Sequence, residues 1–383
     1  MSKQPRILFY VQYLLGIGHV RRSSLIIQAL CQQDVQVDVI FGGVSVDSMS
    51  FATANIHLLP AIKAADAAFS GLIKADGSEL TEQDKNQRAA QLLAICETLQ
   101  PDLIVTETYP FGRRQMRFEL LPLLNWVQAQ KRPPVLVSSI RDILQRRAPV
   151  REQECLELIN TYYQKVIVHG DEQFFPLANS FPLAHNISDK INYSGYVCPT
   201  LEQPNDSNSK KSGVIVSIGG GSVGKEILQA ALNLQQTGFL ADQPWLLITG
   251  PNMDAADKEF FYAQSNDAVR VVEMADNFLS CLQNAYVSIS MAGYNTIMDL
   301  LLTKTAAVVV PFEGSGETEQ LTRSDILAEH QVLTVLRSDD MSADTLKNAI
   351  NHALQSSSNT INVNKNGAQH SAQLLTDWAL NRP

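Results

Sequence analysis

Residues 6–30 read RILFYVQYLLGIGHVRRSSLIIQAL, and this stretch decides the fold. An apolar, β-prone run ends at a turn holding Gly16, Gly18 and His19, and a helical pattern follows at once. That is one βα unit, and the same rhythm recurs along the chain: short apolar strands, a loop, then a helix, as in a parallel sheet. In the first half the pattern predicts strands at RILFYVQY, VQVDVIFGG, DLIVTE, PVLVSSI and KVIVHG. Helices are predicted over roughly 19–33, 82–99, 114–130 and 151–164, and Ala61 to Ser78 reads as a long irregular loop.

LEQPNDSNSKKSG at 201–213 is polar and aperiodic, the best linker in the chain. Beyond it the rhythm restarts with GVIVSIGGG, PWLLITG, VRVVEM, AYVSIS, AAVVVPFEG and VLTVL. Helices are predicted near 224–236, 276–284, 294–303, 318–329 and 342–354. The expected organisation is therefore a domain over 1–200, the linker 201–213, and a second domain over 214–355. A polar stretch and helix over 356–383 could pack back on the first domain. Both domains are α/β and Rossmann-like, and their strand ends are expected to face each other across a deep cleft.

Composition narrows the function. The 383 residues suit two domains, 45% are hydrophobic, and the net charge of −9 gives no broad attraction to nucleic acid. The five cysteines form no CxxC pair, so neither a zinc site nor a disulfide framework is indicated. No run approaches the roughly 18 apolar residues that span a bilayer. The N-terminus carries no signal-peptide pattern. A cytoplasmic protein is expected, with peripheral membrane contact left open.

In an open parallel sheet, ligands bind beyond the carboxyl ends of the strands, so the chemistry should lie just after each strand. IVSIGGGSVGKEIL at 215–228 places Gly219, Gly220, Gly221 and Ser222 between a strand and a helix. Backbone N–H groups there, with the helix N-terminus, could cradle a diphosphate; a tight turn that simply needs glycine has the same signature. SISMAGYNTIMDLL at 288–301 repeats the form, with Ala292, Gly293, Asn295 and Thr296 opening a helix and Asp299 one turn inside it. Asp299 could accept from a ribose diol or be an ordinary helix charge. In VVVPFEGSGETEQLTRSDIL at 308–327, Glu319 and Gln320 could meet sugar hydroxyls, and Arg323 could buttress the loop or pair with phosphate.

The first domain offers acceptor-side candidates. TETYPFGRRQMRFELLPLL at 106–124 carries Glu107, Arg113 and Arg114, which could clamp an anionic acceptor or form a solvated helix face. Arg141 and Asp142 follow a strand and either pair with each other or line the acceptor pocket. His19 has the intrinsic pKa of a proton-transfer group, though it could equally cap its helix.

In order and spacing, the three C-terminal motifs resemble the MurG-type glycosyltransferases of the GT-B superfamily, whose loops hold a UDP-sugar, and the GxGH opening belongs to the same pattern. The whole chain is similar to a group of bacterial predicted glycosyltransferases that share the LLGIGHxxR, PFGRR and RDIL segments. Asp299 stands where the MurG-type pattern has a ribose-binding glutamate, and Glu319-Gln320 replaces a Gln pair. The resemblance implies a hexosyl- or N-acetylhexosaminyltransferase that moves a sugar from a nucleotide-diphosphate sugar, with inversion, to an unknown acceptor, anionic or lipid-linked. No Asp-x-Asp occurs, so no metal and no other cofactor is expected. Two other readings remain open. Gly18, His19 and Arg22 also fit a GHxxR loop similar to that of UDP-sugar hydrolases, where the histidine activates water, and a non-catalytic sugar-nucleotide-binding protein would share the loops.

Overall fold

A computed structural model describes residues 4–14, 18–44, 50–66, 71–201, 211–314, 318–356 and 361–382. Most of the predicted linker and Gly16 lie outside these residues. The chain forms two compact units, residues 1–198 with 363–383, and residues 199–362.

The first unit starts with β1 (Arg6–Val11), α1 (Gly18–Leu30), β2 (Gln36–Phe41) and β3 (Asn55–Leu58). A small antiparallel hairpin, β4 (Ile62–Ala64) and β5 (Leu72–Lys74), follows where the sequence suggested only an irregular loop. Then come α2 (Glu82–Leu99), β6 (Leu103–Glu107), α3 (Arg117–Gln128), β7 (Val135–Arg141), α4 (Pro149–Tyr162), β8 (Lys165–His169) and β9 (Ile191–Tyr193). The seven-stranded sheet is parallel, in the order β3-β2-β1-β6-β7-β8-β9. Strand order therefore reverses between β1 and β6.

Both faces of this sheet are covered, which explains the unbroken apolar runs. Along β1, Leu8 and Tyr10 join a core with Leu92 of α2 and Leu120, Leu123 and Leu124 of α3. Ile7, Phe9 and Val11 point the other way, into a core with Ile26, Ile27 and Leu30 of α1. Thr81 and Asp84 close a capping box at the start of α2.

The second unit repeats the scheme with β10 (Val214–Ser217), α5 (Lys225–Gln236), β11 (Trp245–Ile248), α6 (Ala255–Tyr262), β12 (Val269–Val272), α7 (Phe278–Asn284), β13 (Val287–Met291), α8 (Tyr294–Thr303), β14 (Ala307–Val310), α9 (Glu319–Glu329), β15 (Thr334–Val335) and α10 (Ala343–Ser356). Its parallel order is β12-β11-β10-β13-β14-β15, reversing between β10 and β13. The last helix, α11 (Gly367–Leu380), belongs to the first unit: Ala368, Ala372, Leu375 and Ala379 join the α1 side of its core. Among the described residues no helix is long and apolar enough to cross a membrane.

Inside the first unit sits a buried ion pair. Arg88 of α2 donates from Nε to Glu119 Oε2 of α3 at 2.6 Å, and Tyr10 Oη also donates to Glu119. Arg88 further donates to Gln12 Oε1 at 2.5 Å and to the carbonyl of Pro60, tying β1, both helices and the approach to the hairpin into one polar node. Arg88→Met would strand the Glu119 charge in a dry core, so it should destabilise the first unit by about 3–5 kcal/mol. A lowered chemical-denaturation midpoint with unchanged slope is the expected readout.

Candidate functional site

His19 is the second residue of α1 and Glu107 the last residue of β6, so both stand beyond the carboxyl ends of adjacent strands, where strand order reverses. This is where an open α/β sheet binds ligands. His19 Nδ1 lies 2.8 Å from Glu107 Oε1. Glu107 is 2% exposed, whereas the His19 side chain retains 23% of its surface. Arg22, one turn along α1 and itself buried, pairs with the same carboxylate, and Thr108 Oγ1 donates to it at 2.7 Å. Arg113 is close enough to feel the charges of Glu107, Arg141 and Arg22.

The loop after β6 is tightly determined. Thr108 adopts φ +67°, a conformation that β-branched residues rarely occupy. A Cβ on Gly112 would lie 2.3 Å from the Thr108 methyl, so that position requires glycine.

Burial pushes the His19 imidazole down from 6.5 to about 4; Glu107 opposes this, and Arg113 and Arg22 add to it. Burial alone would raise the Glu107 carboxyl, but His19, Arg22 and Arg113 together hold it well below the ordinary carboxylate range. At neutral pH the ring is neutral beside an anion. Nδ1 then carries the proton and donates it to Glu107, which leaves the Nε2 lone pair available as a base.

In the second unit, Gly219, Gly221 and Gly224 have φ of +64°, +86° and +93°, and Gly250, after β11, has +76°. The two turns interlock: a Cβ on Gly221 would meet the Thr249 carbonyl at 2.4 Å, and one on Gly250 the Gly219 carbonyl at 2.4 Å. Asn252 N–H donates to the Gly220 carbonyl at 2.8 Å. The loop borders a cavity of about 740 Å³ with Gly221, Ser222, Lys225, Asn252, Met291 and Phe312 on its wall. The first turn of α5 stands at the same wall and favours an anion, while Glu226, Asp254, Asp257, Glu313 and Asp339 on that wall oppose one.

The structure sorts the predicted residues. Glu107, Arg113 and Arg141 gather near His19 and Gly18, whereas Arg114 turns aside to pair with Glu154 at 3.3 Å. The Arg113–Arg114 clamp is thus corrected to two separate roles. Asp142 is fully buried and accepts from Tyr196 Oη at 3.0 Å, a structural anchor rather than a pocket wall. Gly221 and Ser222 line the large cavity, while Gly219 and Gly220 form its interlocked turn.

Ala292 is buried, and Gly293 caps α8 with Asn295 and Thr296 in its first turn, but none of the four is on the cavity wall. Asp299 is 1% exposed and off the wall too, so it is neither a solvated helix charge nor positioned at this cavity for a ribose. Glu319 pairs with Arg323 at 2.7 Å, both buried, and the Arg323 guanidinium lies 5.0 Å from the Tyr294 ring centroid. That pair joins α9 to α8, correcting the expectation that Glu319 meets sugar hydroxyls. Gln320 Oε1 accepts from Phe312 N–H at 3.1 Å and so holds the loop after β14.

Sequence reasoning missed Lys225, Asn252 and Phe312, although each follows a strand of the second sheet. It also missed the pairing of His19 with Glu107. His19 opens the helix after β1 and Glu107 ends β6, and only the adjacency of those strands, which the sequence does not show, brings them together.

Residues 215–377 match the glycosyltransferase family 28 C-terminal domain. Among curated proteins, a UDP-N-acetylglucosamine--N-acetylmuramyl-(pentapeptide) pyrophosphoryl-undecaprenol N-acetylglucosamine transferase of Rippkaea orientalis is 23% identical over 154 residues, covering 40% of this chain and 42% of that protein. Its namesake in Prochlorococcus marinus is 27% identical over 111 residues, 29% of this chain and 31% of that protein. The chain thus spans less than half the length of these relatives. Among solved structures, Acinetobacter baumannii MurG superposes with a TM-score of 0.59 at 14% identity, covering 97% of this chain and 99% of its own. The calicheamicin glycosyltransferase CalG4 gives 0.60 at 15% identity, covering 100% and 95%. The fold is that of the GT-B glycosyltransferases.

The His19 ring should titrate near pH 4 when followed by NMR of the imidazole carbons. Because the folded value lies below the unfolded 6.5, the unfolded chain takes up the proton first. The first unit should therefore lose stability as the pH falls from about 6.5 toward 4.

Proposed function

We propose, from the membership of residues 215–377 in the glycosyltransferase family 28 C-terminal domain family, that the protein is a glycosyltransferase using a UDP-sugar donor. The observation that carries the reading is the neutral His19, held by Glu107 with Nε2 available, in a chain whose other unit offers a glycine-turn cavity. The second unit takes the nucleotide diphosphate on the N–H groups of the Gly219–Ser222 turn and the first turn of α5. His19 Nε2 takes the proton of an acceptor hydroxyl as its oxygen attacks the anomeric carbon. The bond from that carbon to the phosphate oxygen breaks, and UDP departs with the electron pair.

A single displacement of this kind inverts the anomeric centre. Loop amides and the first turn of α5 supply the counter-charge a metal ion would otherwise give, so the reaction is metal-independent in this reading. The names of the curated relatives support an N-acetylhexosamine as the sugar and a lipid-linked acceptor.

Purified protein incubated with radiolabelled UDP-sugars and candidate acceptors should form a glycosylated product at a rate unchanged by EDTA. His19→Ala should lower kcat by about 10²- to 10⁴-fold without changing UDP affinity. In wild type, kcat/KM should fall only as the pH approaches about 4, where His19 gains its proton. Release of free sugar and UDP at full rate with no acceptor present would sink the transfer reading.

Ser222 is exposed on the cavity wall, so Ser222→Trp should fill the diphosphate position and leave the fold intact. Calorimetry should show UDP binding lost; unchanged affinity would place the nucleotide elsewhere.

A further inference from the structure

Just past the loop that carries Glu107, the first unit contains a second, much smaller cavity of about 20 Å³, walled largely by guanidinium groups. Three of them converge on one carboxylate, that of Glu154: Arg114 Nε at 3.3 Å, Arg151 Nη1 at 3.4 Å, and Arg117 in closer contact. Arg147 is a fourth wall residue and makes no hydrogen bond or ion pair among the described residues. Arg147 is exposed, yet partial desolvation lowers its pKa, and the neighbouring charges of Arg151 and Arg114 add to that, while the Cys155 thiol opposes it. Among the wall residues four cations face one anion, a surplus of three positive charges, with Glu152 near enough to act on the Cys155 thiol.

Tyr109 provides a second, independent observation. Its side chain lies on the same wall and the residue is 2% exposed, yet its hydroxyl is buried with no hydrogen-bond partner among the described residues. A buried O–H loses its hydrogen bonds to water and normally regains one in the protein. Here the donor and the unpaired guanidinium share one cavity.

We propose that this cavity is a phosphoryl-binding site, with Tyr109 Oη and the guanidinium groups of Arg114, Arg117, Arg147 and Arg151 donating to a dianionic phosphate group. A carboxylate would offset one of three surplus charges, whereas a phosphoryl group offsets two and presents three acceptor oxygens to donors on several sides. At about 20 Å³ the cavity has room for about one water-sized atom, so one phosphoryl oxygen enters it and the rest of the group lies outside, on the exposed guanidinium groups of Arg114, Arg117 and Arg151. The site is packed against the loop after β6. A Cβ on Gly112 would lie 2.3 Å from the Thr108 methyl and 3.8 Å from Arg147 Nη2, and Thr108 bonds Glu107. The inference rests on the geometry of the first unit alone. Joined to the transfer reading, it makes the acceptor a phosphoryl-bearing molecule.

Inorganic phosphate, titrated by calorimetry into protein already saturated with UDP, tests the site. Wild type should bind one phosphate saturably. Tyr109→Phe, which keeps the ring and removes only the hydroxyl, should weaken binding at least fivefold, and Arg147→Gln at least tenfold. Thermal unfolding midpoints equal to wild type establish that both variants are folded, and Arg147→Lys should recover part of the affinity. Unchanged phosphate affinity in either of the first two variants, or no saturable binding to wild type, overturns the proposal. A UDP titration that fails condemns the donor reading instead, and the Tyr109→Phe comparison still decides this one. Two further arms separate the sources of the group. Tighter binding of a hexose 1-phosphate than of phosphate supports a soluble ligand. Arg147-dependent binding to phosphatidylcholine vesicles containing phosphatidic acid supports a lipid one.

Discussion

The burial of the Glu107 charge constrains the whole first unit. A carboxylate with 2% of its surface exposed is tolerated only where charge and hydrogen bonds replace water. The parallel sheet supplies them: β1 lies beside β6, so the helix that follows β1 delivers His19 and Arg22 to the end of β6. Division of labour among these partners matters chemically. If His19 alone faced Glu107, the pair would favour the imidazolium form and the base would be lost. Burial, with the charges of Arg113 and Arg22, holds the ring neutral, and the hydrogen bond to Glu107 fixes its tautomer.

The second unit meets the same topological demand by other means. Its strand order also reverses at the site, between β10 and β13, but the features there are backbone ones. Gly221 and Gly250 approach each other's turns so closely that any side chain would strike a carbonyl. Lys225 is tied to Asp257 and so cannot fill the cavity with its own charge. One fold thus presents glycine turns in one copy and a neutral imidazole held by a carboxylate in the other.

The strands were legible because both faces of the first sheet are packed, which makes each strand a continuous apolar run. Where that condition fails, the signal fails. β3 is a largely exposed edge, β9 spans only three residues, and the β4–β5 hairpin is too short for an alternating pattern to emerge. Within the site, glycine turns are local and could be read, while contacts between distant positions could not. His19 and Glu107 are 88 positions apart, and only strand adjacency joins them. The Glu319–Arg323 spacing of four was visible and fits an i,i+4 pair, yet the motif drew both residues toward a ligand because burial cannot be seen in a sequence. The docking of α11 was open for a related reason: its apolar stripe is mostly alanine, which fits against many surfaces.

A comparison of two buried glutamates in one unit separates scaffold from site. Glu119 has both oxygens engaged, Oε2 by Arg88 Nε and Oε1 by Tyr10 and by Arg88 Nη2 at 3.2 Å, and it is fully enclosed. Such a node locks α2 against α3 and has no capacity left for a ligand. Glu107 has Oε1 crowded by His19, Arg22 and Thr108, while Oε2 is buried with no hydrogen-bond partner among the described residues. A buried acceptor without a partner costs stability. It is tolerable where the carboxylate must stay anionic beside a neutral imidazole, because a second donor on Oε2 would weaken its hold on the Nδ1 proton. By that measure the charge at the end of β6 serves His19, and the charge on α3 serves the fold.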